Sequence, residues 1–174
     1  MFFVPQSIDN LASHADLLNS WRSGVIEARA GRFDRLSRRR LRRRATRLER
    51  RTVGETIHRF ASGDVCRLYY YAPRACPGFL ALDYVLSHRD ASLSTFRAAL
   101  TALDAIARLR GEYAIVCDAS NLRISDRLLE RWGWEPHATW LPGRNFIKRL
   151  GEYEEADRHA SAKPVLAVFA GAVD

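Results

Sequence analysis

The stretch from Phe79 to Gly133 constrains the fold more than any other part of the chain, because its pattern is strand, helix, strand, helix. Residues 79–87 carry apolar side chains on both alternating faces, which is typical of a strand covered on both sides. From Phe96 to Ala107 the apolar residues recur at spacings of three and four, which indicates an amphipathic helix. Residues 113–117 form a short apolar run and are interpreted as a second buried strand. We therefore predict a parallel strand pair joined by a right-handed crossover helix.

Ligands of open α/β sheets bind beyond the carboxyl ends of the parallel strands. In this chain those ends are residues 88–94 and 118–121. Asp83 is a carboxylate within an otherwise apolar strand, where it needs an ion-pair partner or a water-filled cleft. His88 follows the same strand and is a residue type that exchanges protons near neutral pH. Asp83 and His88 are therefore the candidate catalytic bases, with Asp118 as a further candidate. A structural ion pair for Asp83 and an exposed loop position for His88 are the alternatives.

The chain before this stretch is predicted to contain a short edge strand at Phe2–Val4, two helices and two further strands. Ser7–Trp21 carries an apolar stripe at helical spacing. Phe33–Thr52 lacks proline and glycine and is rich in Arg, a good helix former, so a second helix is expected there. Thr52–Ala61 and Asp64–Ala72 are rich in aromatic and β-branched residues and are interpreted as an antiparallel hairpin that turns at Ser62-Gly63.

The chain after Cys117 is predicted to contain one helix and a closing hairpin. Asn121 is the candidate N-cap of the helix, and Gly133 is expected at its C-terminal end. Pro142-Gly143 suits the centre of a turn, so the residues on either side are predicted to pair as two strands. Residues 1–150 are then expected to form one domain, with 151–174 as a C-terminal extension.

The charge of the chain is concentrated in one segment. The formal net charge is +8 at pH 7, and residues 29–51 contain twelve Arg against Asp34 and Glu49, which leaves a local excess of +10. The Arg-rich helix expected at about 33–51 has two interpretations: weak, salt-sensitive binding of RNA or DNA, or a helix that faces solvent or another protein. The contacts to nucleic acid would be made by Arg38, Arg39, Arg40, Arg42, Arg43 and Arg44.

Three cysteines, Cys66, Cys76 and Cys117, lie far apart in the sequence and form no Cys-x-x-Cys pair. An odd number of separated cysteines favours reduced, buried thiols and a cytoplasmic location, and no metal site is expected. The longest apolar run, residues 164–173, is shorter than the roughly 20 residues that a membrane-spanning helix needs. No membrane association is therefore expected.

The predicted order of elements, together with one local motif, resembles the GNAT superfamily of N-acetyltransferases. The order is a short strand, two helices, three antiparallel strands, helix, strand, helix and two strands. The motif is Asn121 followed by LRISDRLLERWGWE. It is similar to the family's pattern of an Asn after the fifth strand, a helix, and then a Gly and an aromatic residue, here Gly133-Trp134. The resemblance implies an α/β fold with a GNAT-like mixed β-sheet, in which antiparallel N-terminal strands precede a parallel central strand pair with flanking helices.

The resemblance also implies acetyl-CoA as the acyl donor. The family holds the CoA pyrophosphate on backbone amides at a helix N-terminus, in the pattern Arg/Gln-x-x-Gly-x-Gly/Ala. The matching positions here are RDASLS at 89–94, where two serines replace the glycine-type residues and Asp90 adds a negative charge. Leu129 stands where many members have a catalytic Tyr. Helix capping by one of the serines is an alternative role for them. The implied cofactor-binding residues are Arg89, Ser92, Leu93, Ser94 and Asn121.

Three functions are compatible with these patterns. The first is a GNAT-like N-acyltransferase that moves an acetyl or acyl group from acyl-CoA to an unidentified amine, with the backbone of Leu82–Leu86 holding the acyl-pantetheine arm. The second is a catalytically inactive GNAT-fold binding protein. The third is a nucleic-acid-binding module that acts through the Arg-rich helix. The amine stays unidentified, because the acceptor side of such folds is built from variable helices and loops.

Overall fold

The computed structural model describes residues 7–39, 62–119 and 124–151. These residues form an α/β fold with an eight-stranded mixed sheet and three α-helices. The helices are α1 (Ala15–Ser20), α2 (Leu93–Leu109) and α3 (Asp126–Arg131), and a 3₁₀ turn at Ala12–His14 precedes α1. The strands are β1 (Ser7–Ile8), β2 (Ser23–Arg29), β3 (Arg32–Arg38), β4 (Val65–Tyr71), β5 (Phe79–Ser87), β6 (Ala114–Asp118), β7 (Glu135–Pro136) and β8 (Asn145–Arg149), in the sheet order β1-β3-β2-β4-β5-β6-β8-β7.

The described residues cluster into two compact units, and each is considered by itself. The first unit contains the residues up to Tyr70 together with Tyr84–Arg110. The second contains Tyr71–Asp83 and the residues from Gly111 onward. The single domain expected for residues 1–150 stays a prediction.

The predicted arrangement of strand, crossover helix and strand is confirmed. β5 and β6 pair in parallel, with Phe79 opposite Ala114 and Leu82 opposite Cys117. The helix between them is α2, and Gly111, with a φ of 69°, follows its end. The residues that α2 buries recur at the helical spacing on which the prediction was based; they are Thr95, Ala99, Leu100, Ala102, Leu103, Ile106 and Ala107.

The predicted Arg-rich helix is wrong at its start, because Phe33–Arg38 belong to β3. β2 and β3 form an antiparallel hairpin whose two-residue turn is Ala30-Gly31, with φ angles of 46° and 77°. Positive φ at both turn residues matches the twist of the flanking strands. β3 also pairs with β1 on its other edge, and these two sets of backbone hydrogen bonds outweigh the weak helix preference of its arginines. The rest of the predicted helix, and the strand predicted at Thr52–Ala61, lie outside the described residues.

The helix predicted for Ser7–Trp21 is shorter than expected. Ser7 and Ile8 pair with β3, and α1 begins only at Ala15. The Asn10 side chain accepts a hydrogen bond of 3.2 Å from the Ser13 amide, which stabilises a turn at this point. The local turn therefore separates β1 from α1.

The predicted N-cap of α3 is also corrected. Ser125, and not Asn121, caps this helix, since the Ser125 Oγ accepts a hydrogen bond of 3.3 Å from the Leu128 amide. Asn121 itself lies outside the described residues. Gly133, with a φ of 82°, follows the helix as predicted. The closing hairpin is confirmed in part, because β7 and β8 pair antiparallel. β7 has two residues only, and residues 137–144 connect the two strands where a tight turn at Pro142-Gly143 was predicted.

A buried apolar cluster joins β5, β6 and β8 within the second unit; its members are Tyr71, Cys76, Phe79, Ala81, Ala114, Val116 and Ile147. Phe79 and Ala81 occupy alternate positions of β5, as expected for one face of a strand. In the parts of the chain that the structure describes, no helix combines the length and the apolar character needed to span a bilayer.

Candidate functional site

The N-terminus of α2 is the point at which most of the predicted cofactor-binding residues meet. Ser92 is the N-cap, with a φ of −76° and a ψ of 158°, and its Oγ accepts a hydrogen bond of 3.2 Å from the Thr95 amide. A residue in this extended conformation has no need of glycine, so the serine at position 92 is unstrained. The predicted capping role of Ser92 is confirmed.

A carboxylate from a different element lies against this helix terminus. The Asp64 Oδ1 accepts a hydrogen bond of 2.8 Å from the Ser92 amide, and its Oδ2 accepts one of 2.9 Å from the Ser92 Oγ. The backbone hydrogen bond from Ser92, followed by a hydrogen bond from the Thr95 side chain, holds the pKa of Asp64 below its usual value. An anion is therefore already present where the family pattern places a phosphate.

The turn that carries Asp64 is tied to the end of β5 by two further contacts. The Asp90 Oδ2 accepts a hydrogen bond of 3.2 Å from the Gly63 amide. The His88 Nδ1 lies 3.0 Å from the Ser62 carbonyl oxygen, and because a carbonyl only accepts, Nδ1 must carry the proton. In the neutral ring Nε2 is then the basic nitrogen.

Two backbone amides at this terminus remain available to a ligand. Within residues 7–39, 62–119 and 124–151, neither the Leu93 amide nor the Ser94 amide has a hydrogen-bond partner. The Leu93 side chain is 52% exposed. The Ser94 Oγ lies 2.8 Å from the Ser92 Oγ, which keeps the hydroxyl beside the helix end. Arg89, the predicted partner of a phosphate, is exposed in the preceding loop.

The structure gathers His88, Arg89, Ser92, Leu93 and Ser94 around the end of β5 in the first unit. Asp83 is half-buried on β5 and belongs to the second unit. Asn121, the remaining predicted cofactor-binding residue, is not among the described residues. Leu129, at the position where many members of the family have a tyrosine, is buried at 4% exposure.

The carboxyl end of β6 carries a second group of polar residues, in the second unit. Asp118 is exposed, and a Cβ added to Gly143 would lie 3.0 Å from its Oδ1, so the turn at 142–143 passes close to this carboxylate. The Arg144 guanidinium donates to Asp126 and to the carbonyls of Ala119 and Ile124. Arg144 therefore links Ala119, the residue after β6, to Ile124 and Asp126 at the start of α3.

Sequence reasoning missed a charged cluster on β2, β3 and β4. Glu27 is 6% exposed, and its carboxylate accepts hydrogen bonds from Arg29 (2.5 Å), Arg35 (3.0 Å) and Arg67 (2.5 Å). Burial raises the pKa of Glu27, but the hydrogen bonds from the three arginines together lower it to about 2. Asp34 contacts Arg29 and Arg35 at 3.4 Å. The sequence signal that could have indicated this cluster is Glu27 itself, a carboxylate among apolar neighbours in residues 23–29.

The aromatic residues of β4 have separate environments. Tyr69 stacks on Tyr84, with ring centroids 4.3 Å apart and an interplanar angle of 10°. The Arg39 guanidinium lies 5.2 Å from the centre of the Tyr69 ring. Tyr71 belongs to the buried cluster of the second unit. Of the arginines predicted to bind nucleic acid, Arg38 is exposed, whereas Arg40, Arg42, Arg43 and Arg44 lie outside the described residues.

The three thiols are buried and held in the protonated form. Burial raises the pKa of Cys66 to about 12, that of Cys76 to about 11 and that of Cys117 to about 12. Nearby carboxylates, Asp64 for Cys66 and Asp118 for Cys117, raise the two higher values further. Thiolate chemistry at neutral pH is therefore disfavoured at all three cysteines.

Comparison with protein-family models, with curated proteins and with solved structures finds no match to this chain. The assignment of function therefore depends on the geometry of the sites described above.

Proposed function

We propose that this chain is a GNAT-like N-acyltransferase that transfers an acetyl or acyl group from acyl-CoA to an amine. One observation carries the proposal: five residues separate the end of β5 from the start of α2, and β5 is a member of a parallel pair. This arrangement puts unpaired helix amides and a positive helix dipole at the carboxyl end of a parallel strand. The GNAT-specific arrangement of the whole sheet is part of the same proposal.

The residues at the helix terminus fit an acyl-CoA pyrophosphate in part. The Leu93 and Ser94 amides are the donors that would hold it, with Arg89 as a neighbouring cation. The Asp64 carboxylate opposes a second anion at this place. We therefore expect a weak affinity for acetyl-CoA. The two free amides and Arg89 would bind acetyl-CoA more tightly if the Asp64 carboxylate were absent.

His88 is the proposed general base. In the reaction the amine nitrogen attacks the thioester carbonyl, the thiolate of CoA departs, and the amine loses one proton. The hydrogen bond from Nδ1 to Ser62 leaves Nε2 of His88 to accept that proton. Asp83 stays the second candidate base.

The test of the cofactor site is a substitution that removes one backbone N–H group, with a control for the loss of the leucine side chain. Leu93 is the first residue of α2, where proline is tolerated, and Ser92 already has the extended conformation that a following proline requires. Leu93→Pro should lower the affinity for acetyl-CoA about tenfold or more, as measured by calorimetry, because a hydrogen bond to a charged group is lost. Leu93→Ala, which keeps the amide, is the matched control.

A second substitution removes the competing charge. Asp64→Asn keeps an oxygen for the Ser92 amide and should raise the affinity for acetyl-CoA. If neither the wild type nor Asp64→Asn gives heat at about 1 mM acetyl-CoA, the acyltransferase proposal is refuted. Given binding, release of the CoA thiol with a panel of amines should fall in His88→Gln, which keeps a donor for Ser62 but accepts no proton.

A second candidate function is a GNAT-fold binding protein without turnover. The observation that favours it is the Asp64 carboxylate at the helix terminus, since a built-in anion stabilises the fold where an enzyme would need an open phosphate site. Binding of acetyl-CoA without thiol release for any amine would support this candidate over the enzyme.

A further inference from the structure

The first unit contains a groove that the proposed acyltransfer does not use. Its volume is about 830 Å³. It lies between α2, the segment before α1 and the turn between β2 and β3. The volume falls within the roughly 300–1,000 Å³ that is usual for small-molecule sites. Ser94 is the one residue that the groove shares with the proposed phosphate site.

The floor of the groove is apolar and shallow. α2 contributes Ala98, Ala102 and Ala105, whose spacings of four and three put them on one face of the helix. Leu11 and Phe33 contribute larger apolar side chains from the segment before α1 and from β3. A row of methyl groups flanked by larger side chains suits an extended hydrocarbon body.

The rim of the groove carries an excess of positive charge. Arg32, at the start of β3, and Arg97, on the second turn of α2, both line it, and neither forms an ion pair with any residue that the structure describes. Asp9 is the one acidic residue of the lining. Two guanidinium groups and one carboxylate leave a net charge of +1 in the lining, which complements the charge of a monocarboxylate.

We propose that this groove binds an amphipathic monocarboxylate. The carboxylate pairs with Arg32 and Arg97, and the hydrocarbon body lies along the alanines of α2. Charge-assisted hydrogen bonds fix the head group, and burial of the chain against Leu11 and Phe33 supplies the remaining affinity. The groove shares only Ser94 with the proposed acyl-CoA site, so this proposal does not require that the chain is an acyltransferase.

Calorimetry with dodecanoate tests the proposal on the full chain. We expect saturable binding that weakens as salt is added, and an affinity about tenfold lower in Arg97→Gln and lower still when Arg32→Gln is added. Arg108→Gln removes an exposed arginine of the same helix that does not line the groove, so it should leave the affinity within about twofold. Acetate, which lacks the chain, and dodecyltrimethylammonium, which lacks the carboxylate, should bind far more weakly.

A filling substitution supplies an independent check. Ala98 is half-buried and lines the groove, so Ala98→Leu should block dodecanoate and leave the circular dichroism spectrum unchanged. Absence of binding to the wild type at about 1 mM dodecanoate overturns the proposal. The proposal is also overturned if the double arginine variant binds dodecanoate as tightly as the wild type does. Equal affinity for dodecyltrimethylammonium overturns it as well, because Arg32 and Arg97 would then not recognise the carboxylate.

Discussion

Replacing Glu27 by Gln tests the role of the buried carboxylate that joins β2, β3 and β4. The wild-type side chain accepts hydrogen bonds from three arginines, and its pKa is lowered from 4.5 to about 2. Each unit of difference between the unfolded-state and folded-state pKa is worth about 1.4 kcal/mol. The lowered pKa of Glu27 therefore corresponds to about 3 kcal/mol of folding free energy at neutral pH. Gln has the same shape but carries no charge, and its NH₂ group is a donor placed among donors. The variant should therefore be about 3 kcal/mol less stable at pH 7.

The pH dependence gives a sharper signature than the loss at one pH. Because the folded-state pKa is the lower one, the stabilisation is fully present above about 4.5 and is lost as the pH falls toward 2. The wild type and Glu27→Gln should therefore differ most at pH 7 and converge in acid. Urea unfolding followed by tryptophan fluorescence, at several pH values, measures this difference directly.

Glu130→Gln is the matched control, since Glu130 is exposed and has no ion pair with another described residue. Its free energy of unfolding should stay within about 0.5 kcal/mol of the wild type at every pH. The reasoning about Glu27 fails if Glu27→Gln loses less than about 1 kcal/mol at pH 7, or if its deficit is the same at pH 3 as at pH 7.

Three further outcomes are expected. Gly24→Ala should cost about 1–3 kcal/mol in urea unfolding, because the new Cβ would lie 2.8 Å from the fully buried Tyr70 ring, whereas Gly151→Ala, which meets nothing within 4 Å, should be neutral. Arg144→Lys should cost about 2–3 kcal/mol through lost hydrogen bonds, and the exposed Arg131→Lys should cost little. The folded protein should react slowly with a thiol reagent at about pH 8 and expose three reactive thiols in guanidinium chloride; rapid reaction of the folded chain would contradict the burial of Cys66, Cys76 and Cys117.

The parts of the fold that the sequence predicted well are those with strong local periodicity. α2 has a full amphipathic stripe over Leu93–Leu109, and β6 is an apolar run too short for a helix, so the parallel pair could be inferred from local patterns alone. The β2–β3 hairpin could not, because its turn is Ala30-Gly31 and not the Asn-Gly or Asp-Gly that marks such turns. The positive φ of Ala30 is imposed by the pairing of β2 with β3. An alanine in the sequence does not indicate this conformation, because non-glycine residues adopt it rarely.

The position of the N-cap of α3 could not be decided from the sequence either. Asn121 and Ser125 are both good N-cap residues, and the sequence alone favours neither. The choice depends on contacts outside the helix, since Arg144 donates hydrogen bonds to the carbonyls of Ala119 and Ile124. Because Arg144 lies on the far side of α3 in the sequence, the helix start is decided by a long-range contact.

The contact of the Asp64 carboxylate with the start of α2 is the long-range contact that matters most for the proposed function, and the strand topology could have predicted it. β4 and β5 are neighbours in the sheet, and the His88 amide, just after β5, donates a hydrogen bond of 3.0 Å to the carbonyl of Val65, the first residue of β4. The residue before β4 must then lie beside the loop that leads into α2, and that residue is Asp64. A helix N-terminus attracts anions, and a carboxylate of the same chain can occupy it. Such a carboxylate competes with an anionic ligand at a fixed effective concentration, whatever the protein concentration. A phosphate site can therefore be inferred from a helix N-terminus only after the neighbouring strand ends have been searched for acidic residues. Here that search leaves the Leu93 and Ser94 amides as the donors on which the proposed binding of acyl-CoA depends.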